Sequence, residues 1–501
     1  MKLRHILGVS AGFHDAALSV VRSDGHIVFA AHSERYSKQK HDSQLCTDIV
    51  VDALHYAGDD FRVEYYERPW LKQLRQWYAG QGIEWDKITV ERVLRKQLYP
   101  YLLSGKHISS HNHHLCHAAA GFQTSPFQEA TIVIIDAIGE FDTVTIWSAY
   151  YDNNFKAVYK KLFSKKYPNS IGLWYSAMTQ RVGLKPNEEE YILMGMAAYG
   201  DPLKYTPMIL EDFFDTKHTL KLRHNLHRGC SWWRPNLSTE QDKYDIAAAT
   251  QFIYELMFHD LLDETKKLTG CSNLVLAGGC ALNCSANSIA FQYFQNVWIM
   301  PNPGDAGNSL GAIAAYTKEF LNWETPYLGY DIPGEYPTEQ LIDTLKKDQI
   351  VGVASGRAEF GPRALGHRSL LADPRGDDIK DKVNIIKKRQ KFRPFAPAIL
   401  AEHAHEYFHM PTTETPYMQY TSHCKHPLAF PAIVHADGTS RVQTVTKTDS
   451  PRFHKFLEEW YHETGCPMVL NTSLNIRGKP MVNTRSHADH FQEIYNVSVI
   501  S

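Results

Sequence analysis

The sequence predicts an α/β fold whose first part contains an internal duplication. The main observation is a repeated pattern of an apolar strand, an acidic turn and a hairpin. In the first copy the strand covers 6–9 and the hairpin turns at Asp24-Gly25. In the second copy the strand covers 131–135, ends at Asp136 and precedes a hairpin that turns at 152–154. Strands at roughly regular spacing with amphipathic segments between them are typical of α/β proteins.

The chain has 501 residues, of which 43% are hydrophobic, so two or more domains are expected. A stretch rich in Pro, Gly and Tyr between residues 322 and 337 predicts a boundary, with domains at 1–330 and 338–501. The apolar pattern predicts a long helix over 245–269. Further predicted elements are strands at 273–277, 297–300 and 350–354 and a helix that ends near Lys387.

An unusual segment at 60–110 is rich in Tyr, Trp, Arg and Lys and predicts an inserted helical region. Its most prominent aromatic residues are Trp70, Trp77, Tyr78 and Trp85. Such rings stack on bases or sugars in some proteins and pack into the core in others, and the sequence leaves both roles open.

Charge and cysteine content narrow the class of protein. The formal net charge of −2 argues against general affinity for nucleic-acid polymers or membrane surfaces. No apolar run approaches the length of a membrane span, and the first residues lead into a strand rather than a signal peptide, so a cytoplasmic protein is expected. The eight scattered cysteines, with Cys280 and Cys284 as the only close pair, predict reduced thiols rather than a structural zinc site.

The segment 356–374 has the densest pattern of chemistry-bearing residues in the chain. Arg357, Arg363 and Arg368 alternate with three glycines, and a second basic stretch runs from Lys387 to Arg393. Guanidinium groups match phosphate and carboxylate oxygens, and glycines allow backbone N–H groups to approach an anion. The pattern therefore indicates a site for a nucleotide or an acyl phosphate, while a solvated basic surface is the alternative.

A metal site is the second prediction. His113 and His117 are four residues apart, so on a helix they share one face and can chelate one ion. Asp136 ends a predicted strand and Asp305 lies in a glycine-flanked loop. Imidazole and carboxylate ligands suit Fe(II), Mn(II) or Zn(II). The alternative is a cluster of histidines that are only hydrogen-bonded or solvated.

Two further motifs suggest acid–base and phosphate chemistry. His14-Asp15 follows a glycine in a turn, where the imidazole could accept a hydroxyl proton; the alternative is that Asp15 caps the turn and His14 is simply exposed. Gly278 and Gly279 lie between a strand and a predicted helix, whose N-terminus could face phosphates.

Three motifs resemble the carboxy-terminal half of the O-carbamoyltransferases, the family of nodulation-factor, cephalosporin and tobramycin carbamoyltransferases. They are G-R-A-E-F-G-P-R-A-L-G-H-R-S, K-K-R-Q-K-F-R-P-F-A-P and L-N-T-S-L-N-I-R-G-K-P. The amino-terminal half is similar as well, so the resemblance covers almost the whole chain. It implies an actin/hexokinase-like (ASKHA, TsaD-like) duplicated domain that is followed by a smaller YrdC-like α/β domain.

The resemblance also assigns roles to residues. It implies that His113, His117, Asp136 and Asp305 bind the metal, although Ala137 replaces a family glycine and is expected to narrow the pocket. His14 and Asp15 match the family's acid–base pair. Further matches imply nucleotide or phosphate contacts by Lys40, Arg35, Gly278, Gly279 and Asn283. In the second domain the implied anion-binding residues are Arg357, Arg363, Arg368, Lys387, Arg393, Asn471 and Ser473.

The implied activity is ATP-dependent O-carbamoylation in two steps through carbamoyl-adenylate. Carbamoyl phosphate and ATP are the expected substrates, with a divalent metal, Fe2+ in the first place, and Mg2+ accompanying ATP. The expected acceptor is the hydroxyl of a sugar, an antibiotic-like natural product or a 5-hydroxymethylpyrimidine nucleotide, with polymeric nucleic acid disfavoured and a homodimer left open. The alternatives are a threonylcarbamoyl-tRNA synthase, a sugar kinase and a nucleotide-gated regulatory ATPase.

Overall fold

A computed structural model describes residues 5–98, 106–216 and 220–501, and its architecture is α/β, as the sequence predicts. The chain divides into two compact units. The first unit consists of Met1–Leu7, Ala11–Phe61 and Asn322–Ser501, and the second consists of Gly8–Ser10 and Arg62–Leu321. The amino-terminal hairpin thus belongs to the same compact unit as the carboxy-terminal third, and the predicted domains 1–330 and 338–501 stay a prediction.

The first unit begins with the predicted hairpin. The strands Ala17–Arg22 and Ile27–His32 pair antiparallel, and Gly25 takes the positive φ of 85° that the turn between them requires. The helices Ser33–Ser37 and Thr47–Ala57 follow.

A six-stranded mixed sheet forms the centre of the same unit. In spatial order its strands are Gln443–Val445, Ala396–Leu400, Met468–Ser473, Arg368–Ala372, Ile350–Ala354 and Val499–Ile500. The unit's longer helices are Thr338–Asp348, Ile379–Ile386, Pro451–Thr464 and Arg485–Tyr495. Along Ile350–Ala354, Ile350 and Ala354 belong to one apolar core while Val351 and Val353 belong to another. Both faces of the sheet are therefore buried, which explains why this strand is continuously apolar.

The remaining elements of the first unit are short. They are a strand pair, Tyr327–Ile332 with Gly356–Glu359, a three-stranded sheet of Phe408–His409, Ser422–Cys424 and Thr439–Ser440, and the helix Ala404–Tyr407.

The second unit is built around a five-stranded sheet. Its order is Asn296–Trp298, Asn273–Ala277, Glu129–Gly139, Asp142–Tyr151 and Ala157–Lys166. The first three strands are parallel and the last two extend the sheet as the predicted antiparallel hairpin. Smaller strands are Phe61–Tyr65, Ile108–Ser110, Phe214–Thr216 and Lys221–Leu222.

The second unit also contains helices. They are Pro69–Tyr78, Val90–Leu98, His113–Gln123, Ile171–Arg181, Glu190–Met196, Pro202–Phe213, Glu240–Thr269, Cys284–Asn287 and Asn308–Thr317. The long helix Glu240–Thr269 starts with a capping box between Thr239 and Asp242 and ends at Gly270 in the left-handed conformation. The first two helices agree with the prediction of an inserted helical segment at 60–110, of which residues 99–105 lie outside the described part of the chain.

Close helix packing brings two distant loops of the second unit together. The helix His113–Gln123, called here the histidine helix, packs against Asn308–Thr317. A Cβ atom at Gly311 would lie only 2.3 Å from the carbonyl oxygen of Cys116, so glycine is required at this crossing. Asp305, which lies in the turn just before the second helix, is thereby carried to the histidine side chains.

Candidate metal centre and anion site

Four predicted ligand atoms of the second unit converge in a buried cluster. The Nε2 atoms of His113 and His117 are 3.2 Å apart. Oδ1 of Asp305 lies 3.4 Å and 3.3 Å from them, and Oδ2 of Asp136 lies 3.3 Å and 4.0 Å from them. Around an ion with bonds of about 2.1 Å, tetrahedral ligand atoms would be roughly 3.4 Å apart. The four residues therefore fit a divalent transition metal in spacing as well as in donor chemistry.

Local structure explains why these side chains point inward. Asn112 caps the histidine helix by accepting the N–H of Leu115 at 2.9 Å, so the histidines at positions one and five share a face. A Cβ at Gly139 would lie 2.4 Å from the ring of His113, so glycine leaves the room that the imidazole occupies. The alanine at 137 leaves Asp136 in the cluster, as expected.

The buried carboxylates of the cluster favour a positive charge beside them. Burial lowers the pKa of His113, but the carboxylates of Asp305 and Asp136 outweigh it and raise that pKa well above its ordinary value. For Asp136, burial and the neighbouring Asp305 raise the pKa, yet His113 and His117 hold it at about 2. The buried negative charge of Asp136 must be balanced, either by a proton on an imidazole or by a metal ion.

Residues outside the ligand set hold it in place, and the sequence did not reveal most of them. Oε2 of Glu67 lies 3.6 Å from Nδ1 of His113, and Lys72 pairs with both oxygens of Glu67 at 3.0 and 3.1 Å. Carboxylates behind ligating imidazoles orient the ring and increase its basicity. No sequence signal pointed to Glu67, since it lies in the unassigned aromatic segment.

A second support comes from Glu140, the last residue of the motif Asp136-Ala137-Ile138-Gly139-Glu140. Its carboxylate accepts two hydrogen bonds from the Arg68 guanidinium, at 3.0 and 2.6 Å, and one from the Asn112 amide at 2.8 Å. Because Asn112 is also the cap of the histidine helix, Glu140 fixes the end of that helix from which His113 projects. Its place in the motif was the signal that could have identified it.

The glycine loop lies against the same centre. Gly278 has a φ of 87°, and a Cβ there would lie 2.3 Å from the carbonyl oxygen of Ile135. The N–H of Gly279 points at Oδ1 of Asp136 over 3.4 Å, on the oxygen that does not face the histidines. A helix follows this loop, as predicted, but it has only four residues and a 3-10 turn at Gly279–Leu282 separates it from the glycines.

Asn283 accounts for that interruption. Its amide pairs with Gln251 in both directions, at 3.0 and 3.1 Å, and its Oδ1 caps the short helix by accepting the N–H of Ala286. The side chain is buried and committed to these partners. Its predicted contact with a nucleotide stays a prediction without geometric support.

The acid–base pair of the first unit is a three-residue cluster. Asp15, at a positive φ of 49°, contacts Nδ1 of His14 at 3.0 Å and Nδ1 of His41 at 2.7 Å. Burial raises the pKa of Asp15, but both imidazoles outweigh it and hold the pKa well below its usual range. The His14 side chain is 54% exposed, so a substrate can reach it. Lys40, a predicted anion contact, pairs with Glu34 at 3.2 Å.

Two of the predicted anion-binding arginines have structural roles instead. Arg368 is fully buried and donates to the carbonyl oxygens of Asn483, Ser355, His367 and Tyr330 at 3.0 to 3.1 Å. Arg357 donates to the carbonyls of Leu328, Gly329 and Val28. We therefore remove Arg357 and Arg368 from the candidate anion site, because their donors are used by the backbone.

The loop that carries Arg363 is held by a buried carboxylate. Oε1 of Glu359 accepts the backbone N–H groups of Leu365, His367 and Arg368 at 2.8 to 3.1 Å. Its Oε2 faces Nη1 of Arg35 at 3.6 Å, and Arg35 also donates to the carbonyl of Gly361 at 2.7 Å. Arg35, predicted as an anion contact, thus stabilises the loop, while Arg363 stands within the loop and is half-buried.

A basic cluster forms where two distant motifs meet. Lys387, at the end of the helix Ile379–Ile386, donates to Ser473 Oγ at 3.2 Å, to Asn475 Oδ1 at 3.0 Å and to the Ser473 carbonyl. Burial, together with the charges of Arg389 and Arg393, lowers the pKa of Lys387 well below its ordinary value. The structure therefore brings together the predicted residues Lys387, Arg393 and Ser473. Asn475 also belongs to this cluster, although the sequence did not indicate it.

Asn471 links this cluster to the loop of Arg363. Its amide donates to the carbonyl of Ala364 at 3.1 Å and to Gln443 at 2.7 Å, while its own Oδ1 is buried without a partner among the described residues. Asn471 and Ser473 alternate along one strand and so share one face of the sheet. An anion site stays a prediction for Arg363, Lys387 and Arg393, while Asn471 and Ser473 use their donors on Ala364, Gln443 and Asn475.

Two family profiles match the chain. The profile of the carbamoyltransferase N-terminus covers residues 81–314, and that of the carbamoyltransferase C-terminus covers residues 342–500. Both candidate clusters have members inside these ranges. Among the described residues, no helix is both long enough and apolar enough to cross a membrane.

Related proteins agree with these profiles. An uncharacterized protein of Synechocystis is 32% identical over 97% of this chain and 94% of its own length. Nodulation protein NolNO of Sinorhizobium fredii is 30% identical, with coverages of 95% and 76%. The 3'-hydroxymethylcephem-O-carbamoyltransferase of Amycolatopsis lactamdurans is 26% identical, with coverages of 94% and 93%.

Similarity to solved structures is weak. The activator of 2-hydroxyisocaproyl-CoA dehydratase from Clostridium difficile with bound ADPNP covers 63% of this chain and 94% of its own, at a TM-score of 0.32 and 12% identity. This value is too low to support an argument about fold or function. Because two carbamoyltransferase profiles match the chain and its relatives match along most of its length, the chain belongs to the carbamoyltransferase family. It is therefore an enzyme of the transferase class.

Proposed function

We propose that this enzyme is an ATP-dependent O-carbamoyltransferase that works through carbamoyl-adenylate. The observation that carries the proposal is the convergence of His113, His117, Asp136 and Asp305 in a chain that also contains a separate cationic cluster. An actin/hexokinase-like fold for the part that contains the metal ligands, and a YrdC-like fold for the part after residue 338, belong to the same proposal.

The first step takes place at the cationic cluster. Water splits carbamoyl phosphate into carbamate and phosphate; a carbamate oxygen then attacks the α-phosphorus of ATP, and pyrophosphate leaves. Arg363, Lys387 and Arg393 neutralise the negative charge that these reactants bring together. Asn471 positions the loop of Arg363 through the Ala364 carbonyl, Ser473 positions Lys387, and Mg2+ accompanies ATP.

The second step consumes the adenylate. The acceptor hydroxyl oxygen attacks the carbamoyl carbon, its proton passes to a base, and AMP leaves with the electron pair of the broken bond. For the base we propose the exposed imidazole of His14, which Asp15 orients through a 3.0 Å contact. Released to water the adenylate would hydrolyse, so the reaction needs a site that excludes water.

The buried cluster of two imidazoles and two carboxylates would hold a divalent metal, for which we favour Fe2+ over Mn2+ and Zn2+. Bound there, the ion would polarise the carbamoyl oxygen and offset phosphate charge. Glu67 and Glu140 keep the ligand side chains oriented, through His113 and through the cap of the histidine helix.

For the acceptor we propose a small molecule or a mononucleotide that carries a hydroxyl group. The related cephem O-carbamoyltransferase acts, by its name, on a hydroxymethyl group. The net charge of −2 disfavours a tRNA substrate and thus a threonylcarbamoyl-tRNA synthase. A sugar kinase or a regulatory ATPase would leave the two matched carbamoyltransferase profiles unexplained.

The test is to incubate the purified, iron-loaded enzyme with carbamoyl phosphate, ATP and a panel of hydroxylated acceptors. We expect AMP and pyrophosphate release that depends on carbamoyl phosphate, and an acceptor that gains one carbamoyl group by mass spectrometry. ATP turnover that is indifferent to carbamoyl phosphate would contradict the proposal and favour a kinase or a regulatory ATPase.

A further inference from the structure

The helix Pro69–Tyr78 has an inverted distribution of polar and apolar side chains. It exposes Trp70, Trp77 and Tyr78 by 54%, 60% and 67%, and it buries Lys72 and Arg75. A surface helix normally turns its apolar face to the core, because burying a charge is costly unless the charge is paired. Each buried cation on this helix therefore needs a partner.

Lys72 has its partner in the protein. Its ammonium group contacts both carboxylate oxygens of Glu67, whose Oε2 in turn faces His113 at 3.6 Å. One of the two buried charges thus belongs to the support of the metal centre.

Arg75 lacks such a partner within the described part of the chain. The residue is only 5% exposed, and its Nε and Nη1 atoms are buried without a hydrogen bond. Among the described residues no carboxylate forms an ion pair with it. Burial lowers the pKa of Arg75 and the charge of Glu67 partly opposes this, so the carboxylate that pairs with Lys72 is close but not bonded.

A second unsatisfied group lies beside it. Nδ1 of His227 is buried without a partner, while its Nε2 contacts the Gln81 side chain at 2.6 Å. The contact with Gln81, three residues beyond the end of the helix Pro69–Tyr78, places His227 at the end of the helix that carries Arg75. Burial lowers the pKa of His227, and the charge of Arg75 lowers it further. Tyr167 lies near both, since it acts electrostatically on Arg75 and its ring is 6.1 Å from that of His227.

We propose that Arg75 and His227 form a binding site for the anionic group, carboxylate or phosphate, of the acceptor substrate. The inference rests on the proposed function, in which ATP and carbamoyl phosphate bind to the cationic cluster of the other unit. Two unsatisfied guanidinium N–H groups match the oxygens of an oxyanion, which also supplies the charge that Arg75 lacks. Through Glu67, this site adjoins the metal centre where the acceptor hydroxyl must react.

A binding measurement tests the site without relying on turnover. Inorganic phosphate and acetate are titrated into the metal-loaded enzyme, its Arg75→Met variant and the control Arg95→Met, an exposed arginine on the helix Val90–Leu98. We expect acetate to raise the Tm of the wild type and the control by about 2 °C or more, but not that of Arg75→Met. Phosphate, which should also bind the Lys387 cluster, should raise the Tm of Arg75→Met less than that of the wild type. In anion-free buffer, Arg75→Met should be as stable as the wild type or more so. A clear drop in its Tm there would overturn the proposal, because the guanidinium would then be satisfied by the protein.

An activity measurement identifies which substrate carries the anionic group that binds at Arg75. Two acceptors of one scaffold are compared, one with a free carboxylate or phosphate and one with its neutral ester. Arg75→Met should raise KM for the anionic acceptor at least tenfold, with kcat little changed, and leave the neutral one unaffected. A higher KM for supplied carbamoyl-adenylate with both acceptors would assign the site to the adenylate and contradict the proposal.

The two proposals fail in different ways. If Arg75→Met abolishes anion binding while no acceptor is ever carbamoylated, the proposed function is wrong and the assignment of the site to an acceptor falls with it. If carbamoylation proceeds and Arg75→Met changes neither anion binding nor KM, only this inference is wrong.

Discussion

The metal cluster and the Lys387 cluster bury charged groups of opposite sign. In the first, the carboxylates of Asp136 and Asp305 face two imidazoles at 3.3 to 4.0 Å, an arrangement that a cation completes. In the second, a buried ammonium is surrounded by neutral oxygens of Ser473 and Asn475, with two arginines close by, an arrangement that an anion completes. This difference supports the proposal of a metal ion at the first centre and phosphate groups at the second.

The largest expected effect comes from breaking the metal cluster. His117→Ala and Asp305→Asn should lose the metal and lower acceptor carbamoylation by at least about 100-fold, because three remaining ligands hold the ion poorly. Pyrophosphate release driven by carbamoyl phosphate and ATP should continue. Metal analysis and the two rates are measured, with the exposed His405→Ala as the control. Loss of both activities in a folded variant would contradict the separation of the two centres.

The second largest effect is expected when a positive charge is removed from the cationic cluster. Lys387→Met and Arg363→Ala should lower adenylate formation by about 100-fold or more, because the charge that neutralises the phosphates is removed. Metal content should stay normal, and chemically supplied carbamoyl-adenylate should still be used. Lys388→Met, the exposed neighbour in the same basic stretch, is the matched control. Failure to use supplied adenylate would show that these residues serve the transfer step instead.

A smaller effect tests the support of the metal ligands. Glu140→Gln weakens the contacts to Arg68 and Asn112, so the histidine helix is held less firmly at its first residue. We expect the dissociation constant of the metal to rise about 10-fold, the lower end of what such changes cause. Titration with a competing chelator measures it, and Glu129→Gln, at the exposed start of the same strand, should have no effect.

The smallest effect concerns the pH dependence of stability. Burial lowers the pKa of His41, but Asp15 outweighs it and raises the pKa, so this contribution is present below about pH 6.5 and is lost as the pH rises through the raised value. The depressed pKa of Asp15 makes its own contribution present above about pH 3.9. Asp15→Asn should therefore cost about 1 kcal/mol of unfolding free energy near pH 5.5 and less near pH 9. Urea unfolding at both values measures it, and an equal loss at both would refute the coupling to His41.

The sequence by itself determined the features that depend on local chemistry. Asp24-Gly25 predicted a hairpin because its turn needs a positive φ, and the structure contains that hairpin. The spacing of His113 and His117 predicted a shared helix face, because four residues make about one turn. The prediction that Asp136 ends a strand is wrong, because the strand continues to Gly139. The packed structure nevertheless brings the carboxylates of Asp136 and Asp305 to this face.

Only the tertiary structure decided how each buried charge is paired. Arg357, Arg363 and Arg368 look alike in sequence, yet Arg368 is fully buried and donates to four carbonyls while Arg363 is half-buried in a loop. Likewise, nothing local distinguishes Lys72, which pairs with a carboxylate, from Arg75, which pairs with none among the described residues. Turns and helix faces are set by neighbours in the chain, whereas the partners of a charge come from segments far apart in sequence, so their identity emerges only when the chain has packed.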